Sequence, residues 1–283
     1  MPKALSTKDV QQYEMDGALA PVRVFSTERA AAYLRALEQF ERDHRDLSRS
    51  VLTVKPHLML RWADEIVHDA AVLDVIEDLL GPDILLYNTA VWIKEAGDAK
   101  FVGWHQDCAY YPLDPPTHVT AWISLTDSVE ENGNVKFIAG SHVRGVMKHS
   151  TNERASSLLS QGQSIQEDFD PDLVRSMALQ PGEMSLHHAH AVHFSEPNRS
   201  ARRRIGFGMN FIPTSVRCSG TVRHSAMLVR GTDRYGHFDA ERRVGSDLSP
   251  AAKAIHQEAV ARFRAARDEA LTAHEREFAA ATS

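Results

Sequence analysis

The stretch RRIGFGMNFI, residues 203–212, decides the fold because the two faces it would present as a strand differ in character. Alternate side chains of an extended strand point to opposite faces of a sheet. One face is apolar and consists of Ile205, Phe207, Met209 and Phe211. The other is small or polar and consists of Arg204, Gly206, Gly208 and Asn210. The pattern predicts a strand with its apolar face in the core and an arginine beside open space on its other face.

Runs of similar length, rich in β-branched and aromatic residues, precede this strand and are separated by Gly, Pro, Asn and Asp. They are ILLYNTAVWIK (84–94), KFVGWHQD (100–107), HVTAWISL (118–125), NVKFI (134–138) and EMSLHHA (183–189). Many short strands in succession predict an antiparallel sandwich or barrel, because alternating βαβ units would place a helix after each strand.

Helices are predicted on both sides of these strands. One begins after Ser26 or Thr27, a second covers Asp69 to Leu80, and a long third one runs from Pro250 to about residue 279. We interpret residues 1–283 as a single domain. Its parts are a helical N-terminal part (1–82), a β-core (83–215) and a C-terminal segment with a helix (216–283). The polar stretch 150–172 is either a lid over a site or an ordinary surface loop.

The composition of the chain limits the kinds of molecule that it is expected to bind. The chain has 283 residues, 43% of them hydrophobic, and a net charge of −6, so it can bury a core but offers no basic surface for nucleic acid or membranes. Cys108 and Cys218 are the only cysteines and form no CxxC pair, and no long apolar segment or leader pattern occurs. We therefore expect a cytoplasmic protein that binds a small molecule.

Histidine is the unusual component: there are fifteen, and four of them lie within residues 187–193. A His-x-Asp pair on a strand places both side chains on one face, and a later histidine completes a set of two histidines and one carboxylate that is typical of nonheme iron. Three such pairs occur. His44-Arg45-Asp46 falls on a helix, where residues two apart diverge by about 200°, and His237-Phe238-Asp239 falls in a turn-rich run. His105-Gln106-Asp107 ends a strand and is the candidate.

His193 is the predicted third ligand, because it begins an extended segment in which Ser195 shares its face. Arg204 follows on the next strand, and an arginine on a glycine-lined inner wall is suited to a small carboxylate. Trp122 alternates with Thr120 and Ser124 on a polar face, and could line a cavity or belong to the core.

Three segments in this order resemble the phytanoyl-CoA dioxygenase superfamily of iron(II)- and 2-oxoglutarate-dependent oxygenases, in particular its bacterial natural-product branch. They are WHQD (104–107), VTAWISLTDSVEENGNVKFIAGSH (119–142) and PGEMSLHHAHAVHFSEPNRSARRR (181–204). The resemblance covers about residues 80–212. It implies a mainly β fold with flanking helices and a double-stranded β-helix core, the jelly roll of cupins.

The resemblance also implies a site. His105, Asp107 and His193 would hold iron(II), Arg204 and Ser195 would bind the distal carboxylate of 2-oxoglutarate, and Trp122 would lie beside it. Tyr87 and Asn88 lie on a strand that flanks the cosubstrate in this family, but alternation does not tell which of them points inward. The implied cofactors are Fe(II), 2-oxoglutarate and O2.

The implied reaction hydroxylates an aliphatic carbon of a small molecule, free or attached to a carrier or CoA, in specialised metabolism, and releases succinate and CO2. The alternatives are desaturation, epoxidation or halogenation with the same cofactors, or a jelly-roll protein that binds a metal or ligand without oxygenase activity. Asp107 disfavours halogenation, because a carboxylate ligand occupies the position that a halide needs.

Overall fold

The computed structural model describes residues 2–151, 157–158 and 163–280. Their helices are α1 (Thr7–Asp16), α2 (Thr27–Asp43), α3 (Arg45–Leu52), α4 (Arg61–Val67), α5 (Ala70–Leu80) and α6 (Pro250–Ala280). Their strands are β1 (Ala18–Arg23), β2 (Ile84–Lys94), β3 (Val102–His105), β4 (Leu113–Asp114), β5 (Val119–Ser124), β6 (Val135–Ile138), β7 (His149–Thr151), β8 (Gln163–Ile165), β9 (Val174–Met177), β10 (Glu183–His188), β11 (His193–Ser195), β12 (Arg204–Pro213), β13 (Arg217–Cys218), β14 (Ser225–Arg230) and β15 (Asp239–Ala240).

The three predicted helices are α2, α5 and α6. The Ser26 side chain caps α2 by accepting a hydrogen bond from the backbone N–H of Arg29 at 3.2 Å, as expected of a residue that satisfies a free helical donor. Asp69 caps α5 in the same way. None of the helices in the described ranges combines the length and the apolar character needed to span a bilayer.

Strand β12 lies inside a seven-stranded sheet whose order is β1-β10-β5-β12-β2-β14-β15. Its neighbours β5 and β2 both pair with it in antiparallel register. The predicted apolar face is buried against the helices, and Phe207 packs edge-on against Trp62 of α4 with ring centres 5.5 Å apart. Burial of this face against α2, α4 and α5 forms the main core, so the alternation in 203–212 is confirmed.

A second sheet, with strand order β3-β11-β6-β9, faces the other side of the large sheet. Contacts that cross between the two sheets include Lys94 of β2 with Ser195 of β11, whose polar atoms lie 2.7 Å apart. Two facing, mainly antiparallel sheets with helices outside one of them are the architecture of a jelly roll, which confirms the predicted fold class. The polar face of β12 lies inside it.

The large sheet extends beyond the predicted β-core of residues 83–215. Strand β1 comes from the N-terminal part and pairs with β10, and β14 and β15 come from the C-terminal segment. These pairings join residues far apart in sequence, which local patterns do not report. In the stretch 150–172 the structure describes residues 150–151, 157–158 and 163–172, which include the end of β7 and all of β8, whereas 152–156 and 159–162 lie outside the described residues.

Candidate iron and cosubstrate site

Two histidines meet where β3 and β11 pair. His105 is the last residue of β3, His193 is the first of β11, and the two are direct partners in the antiparallel register. Asp107 lies two residues further on. Ligand atoms of these three side chains all lie within 4.8 Å of one another, with Asp107 Oδ1 3.6 Å from His105 Nε2 and 3.8 Å from His193 Nε2. The structure thus brings the three predicted ligands together.

Backbone carbonyls orient both imidazole rings. His105 Nδ1 lies 2.9 Å from the carbonyl oxygen of Gly103, and His193 Nδ1 lies 3.0 Å from that of Ala191. A carbonyl only accepts, so each Nδ1 carries the proton and each Nε2 presents its lone pair. This arrangement, in which the second nitrogen of a ligating histidine is held by a hydrogen bond, is typical of metal sites.

The protonation states suit a divalent metal. Burial, followed by the charges of His105 and His187, holds the pKa of His193 well below its ordinary value, so the ring is neutral. Burial by itself would raise the pKa of Asp107, but the surrounding imidazoles of His105, His187 and His193 outweigh it and hold that pKa well below its ordinary value. Two imidazoles and one carboxylate are the donor set of nonheme iron(II).

The sequence predicts that both residues of the His-x-Asp pair lie on a strand, but the structure places only His105 there. Strand β3 ends at His105, and Asp107 begins a short 3₁₀ turn that runs to Tyr110. Gln106 between them keeps an extended backbone, with φ −117° and ψ 136°, so the two ligands still fall on one side. The second carboxylate oxygen, Oδ2, lies 2.6 Å from Thr120 Oγ1 and 3.3 Å from His187 Nε2.

Gln106 also links the ligands to the C-terminal helix. Its backbone N–H donates to His149 Nε2 at 2.9 Å, and the backbone N–H of His149 donates to Nε2 of His274 in α6 at 3.2 Å. The rings of His149 and His274 are packed edge to face with centres 5.2 Å apart. The peptide between the two ligands is therefore connected to α6 by two hydrogen bonds.

Beside the triad, two buried cations lie together. Arg204 of β12 and Lys94 of β2 are direct cross-strand partners, with relative exposures of 2% and 0%. Lys94 Nζ donates to Ser195 Oγ at 2.7 Å and also to the carbonyl of Glu196, and Arg204 Nη1 donates to the carbonyl of Gly133. Within the described ranges neither cation forms an ion pair with a carboxylate, and Arg204 Nε has no hydrogen-bond partner.

This pair is electrostatically strained. Burial, followed by the charge of Arg204, lowers the pKa of Lys94 to about 6, and burial lowers the pKa of Arg204 to about 10. Unpaired buried charge is costly, so the pair favours an anion that neutralises it. Sequence reasoning missed Lys94, and the signal that could have found it is a lysine ending an otherwise apolar strand, ILLYNTAVWIK.

The face around Arg204 is not the open space that the glycines led us to expect. A Cβ atom on Gly206 would lie 1.8 Å from Cζ2 of Trp122, and one on Gly208 would lie 3.0 Å from Nε1 of Trp92. The glycines therefore make room for two indole rings. The guanidinium of Arg204 lies 5.3 Å from the ring centre of Trp122, close enough for a cation–π contact. Trp122 thus lies beside Arg204 on the inner face.

Tyr87 and Asn88 are separated by an irregularity in β2. The register passes from Asn210 opposite Asn88 to Phe211 opposite Leu86, which leaves Tyr87 as an extra residue. Asn88 consequently shares the inner face with Asn210. The Tyr87 hydroxyl lies 2.6 Å from Nδ1 of His224, and its ring packs in a separate apolar cluster. The structure does not bring Tyr87 to the cation pair.

The two rejected His-x-Asp pairs lie apart from this site. His44 separates α2 from α3 and its ring contacts Phe40. His237 stacks on Tyr235, and Asp239 forms ion pairs with Arg223 and Arg262. Among the clustered histidines, His187 is the one that sequence reasoning left unassigned although it contacts Asp107.

Comparison with known proteins agrees with this geometry. The family model for phytanoyl-CoA dioxygenase matches residues 13–206. A probable alpha-ketoglutarate-dependent hypophosphite dioxygenase of Stutzerimonas stutzeri is 29% identical over 199 residues, which cover 68% of this chain and 69% of that protein. The ectoine dioxygenase of Bordetella parapertussis is 27% identical over 154 residues, 49% of this chain and 50% of that protein.

Comparison with solved structures agrees with these sequence matches. The non-heme monooxygenase ThoJ, in its apo form, superimposes with a TM-score of 0.85 at 32% sequence identity. The superposition covers 93% of this chain and 98% of ThoJ. Both the sequence match and the shared architecture extend over most of the chain, including all three candidate ligands. The chain belongs to the phytanoyl-CoA dioxygenase family of iron(II)- and 2-oxoglutarate-dependent oxygenases.

Proposed function

We propose that this protein hydroxylates an aliphatic carbon of a small molecule in specialised metabolism, with 2-oxoglutarate and O2 as cosubstrates and with release of succinate and CO2. The observation that carries the proposal is the adjacency of two sites between the sheets. Ser195, which contacts Lys94 of the cation pair, is two residues from the ligand His193. A protein that only bound a metal would gain nothing from two buried, unpaired cations beside it.

His105, Asp107 and His193 hold iron(II) in this proposal. Their ligand atoms already converge, and both histidines present the nitrogen that a metal needs. When bound, the iron supplies the activation of dioxygen and the oxidative decarboxylation of 2-oxoglutarate. With only three protein ligands, the iron would keep coordination positions for the cosubstrate and dioxygen. The chain's own contribution is to fix these ligands and keep the remaining positions accessible.

Arg204 and Lys94 bind the distal carboxylate of 2-oxoglutarate, and Ser195 adds a hydroxyl. Arginine can pair with a carboxylate through two parallel hydrogen bonds, which orients it as well as binding it. The face of Trp122 packs against the guanidinium and limits its rotation. Asn88 lies further along the same inner face, opposite Asn210, where it is available to the cosubstrate or substrate.

The site is buried, so water is largely excluded and the electrostatic contacts are strong. A cleft of about 360 Å³ lies next to Ser195, bordered by Trp104, Phe194 and the described residues 157 and 164–166. The described residues 157 and 164–166 belong to the polar stretch 150–172 and form one border of this cleft. The substrate is a small molecule, as in the ectoine dioxygenase relative, either free or attached to a carrier.

The test is succinate formation from 2-oxoglutarate in the presence of Fe(II) and O2, measured against a panel of amino acids, acyl thioesters and pathway intermediates. We expect one class to stimulate succinate formation stoichiometrically with a product 16 Da heavier. A matched Arg204→Ala sample provides the control. Failure of 2-oxoglutarate to bind the metal-loaded protein in calorimetry would refute the proposal and favour a jelly-roll protein with another role.

A further inference from the structure

The second oxygen of Asp107 lies at the end of a hydrogen-bond chain that crosses the large sheet. Thr120 Oγ1 donates to Asp107 Oδ2 at 2.6 Å, and Asn210 Nδ2 donates to Thr120 Oγ1 at 2.8 Å. The Tyr111 hydroxyl donates to Asn210 Oδ1 at 3.1 Å. Thr120 and Asn210 are direct cross-strand partners of β5 and β12 and are both buried. Strands β5 and β12 thus hold this hydrogen-bond chain in place.

The direction of these bonds follows from the carboxylate. An ionised carboxylate only accepts, so Thr120 must donate its single proton to Asp107 and accept through its lone pair. The group opposite Thr120 must then be the amide nitrogen of Asn210, which turns the amide oxygen towards Tyr111. Only one orientation of each side chain therefore satisfies all of these hydrogen bonds, and the hydrogen-bond chain ends at Oδ2 of Asp107.

We infer that Thr120, supported by Asn210 and Tyr111, is a positioning residue that keeps Asp107 a one-oxygen ligand. Oδ2 is engaged by Thr120 and His187, whereas Oδ1 faces Nε2 of both ligating histidines. A carboxylate that turned to offer both oxygens would occupy a second position on the metal and remove one from cosubstrate or dioxygen. This inference rests on the proposed role of the triad as the iron site.

The experiment measures metal affinity, with Mn(II) as an oxygen-stable probe followed by electron paramagnetic resonance. Thr120→Val keeps the shape of the side chain but removes the hydroxyl, and Thr120→Ser keeps the hydroxyl. Loss of a group that orients a metal ligand typically weakens binding about 10- to 100-fold. We expect Thr120→Val to lose affinity in this range and Thr120→Ser to stay within about threefold of the wild type.

Ser185→Ala is the matched control. Ser185 is a buried hydroxyl on β10, and its Oγ has no hydrogen-bond partner among the described residues, so its removal is expected to leave Mn(II) affinity unchanged. Asn210→Ala and Tyr111→Phe act through Thr120 and are expected to cause successively smaller losses. If Thr120→Val does not fold, Asn210→Ala decides the question.

Thermal unfolding of the metal-free proteins separates positioning from a purely structural role. A Thr120→Val protein that is destabilised but binds Mn(II) as tightly as Thr120→Ser would overturn the inference. Failure of the metal-site assignment, on which the inference rests, has a different signature, because the wild type would then bind Mn(II) no better than His105→Ala. Failure of the proposed function would appear instead as loss of 2-oxoglutarate binding by a protein that still binds Mn(II). Equal affinity of wild type and Asn210→Ala, with Thr120→Val unfolded, would also overturn the inference.

Discussion

Arg204 and Lys94 lie directly opposite each other on β12 and β2, and both side chains are buried without a carboxylate partner in the described part of the chain. Two like charges in a dry interior would repel each other and lose the hydration they would have in water, so Lys94 gives up its proton more readily than a lysine in water does. The pair is stabilised when an anion binds between them. Three structural elements meet there, since Ser195 of the second sheet also contacts Lys94.

Arg204→Ala is expected to raise the 2-oxoglutarate requirement severely. Removing one partner of a buried, charge-assisted pair costs about 2–5 kcal/mol, or roughly 30- to 4,000-fold in affinity. Arg203→Ala is the control, because Arg203 forms ion pairs with Glu41 and Glu95 on the outer side of the sheet. Calorimetric titration with 2-oxoglutarate measures both, and a larger effect at Arg203 would contradict the proposed register.

Binding of 2-oxoglutarate is expected to take up a proton at pH 8. Without an anion, burial and the charge of Arg204 lower the pKa of Lys94 from 10.5 to about 6, opposed by Asp98 and Glu196, so its amine is largely neutral at pH 8. A bound carboxylate raises this pKa, and affinity therefore falls as pH rises above about 6.

Calorimetry of 2-oxoglutarate binding to the Mn(II)-loaded protein, in buffers of different ionisation heat, counts the protons. Lys94→Met removes the titrating amine and is the control for other groups. The prediction fails if wild type and Lys94→Met bind with the same proton uptake at pH 8.

Metal binding is expected to require His105 and His193. Replacement of either by Ala removes one of three ligands and should abolish Fe(II) binding and turnover. His44→Ala and His237→Ala remove histidines of the other two His-x-Asp pairs and should bind iron as the wild type does. Anaerobic Fe(II) titration compares all four variants. Retention of iron by His105→Ala together with its loss in His237→Ala would show that the site has been misassigned.

The wild-type product is expected to be oxygenated and free of halogen, even in excess chloride or bromide. In the proposed iron site Asp107 would be the third ligand, in the position that a halide needs. Asp107→Gly opens that position but builds no pocket for an anion in a low-dielectric interior, so we expect mainly loss of activity. With labelled dioxygen, one atom should enter the product and one should enter succinate. A halogenated major product would refute the hydroxylase assignment.

The structural features that could be predicted from the sequence are those that depend on residues close together in the chain. Ser26 and Pro250 mark where helices begin, and alternation in 203–212 separates the core face from the site face. The sequence also predicted which three side chains converge, because His105 and Asp107 are close in sequence and a third histidine was needed; that they bind iron stays a prediction.

Features that depend on register and long-range pairing could not be predicted in this way. Lys94 lies 110 residues from Arg204 in the chain, and only the pairing of β2 with β12 shows that they are neighbours. The irregularity at Tyr87 resets the alternation in β2, so the inward residue could not be chosen from the pattern. The packing of Trp122 over Gly206 likewise depends on a neighbouring strand.

The hydrogen bond from the backbone N–H of His149 to Nε2 of His274 connects helix α6 to the candidate iron site. A chain shortened before residue 274 would keep every side chain proposed to touch iron or 2-oxoglutarate, yet it would lose the support behind the Gln106 peptide. Replacement of His274, or removal of the part of α6 that carries it, is thus expected to disturb the peptide between the candidate metal ligands. For the same reason, a variant of this protein that is altered only at His274 is expected to differ in metal retention while its candidate ligands stay unchanged.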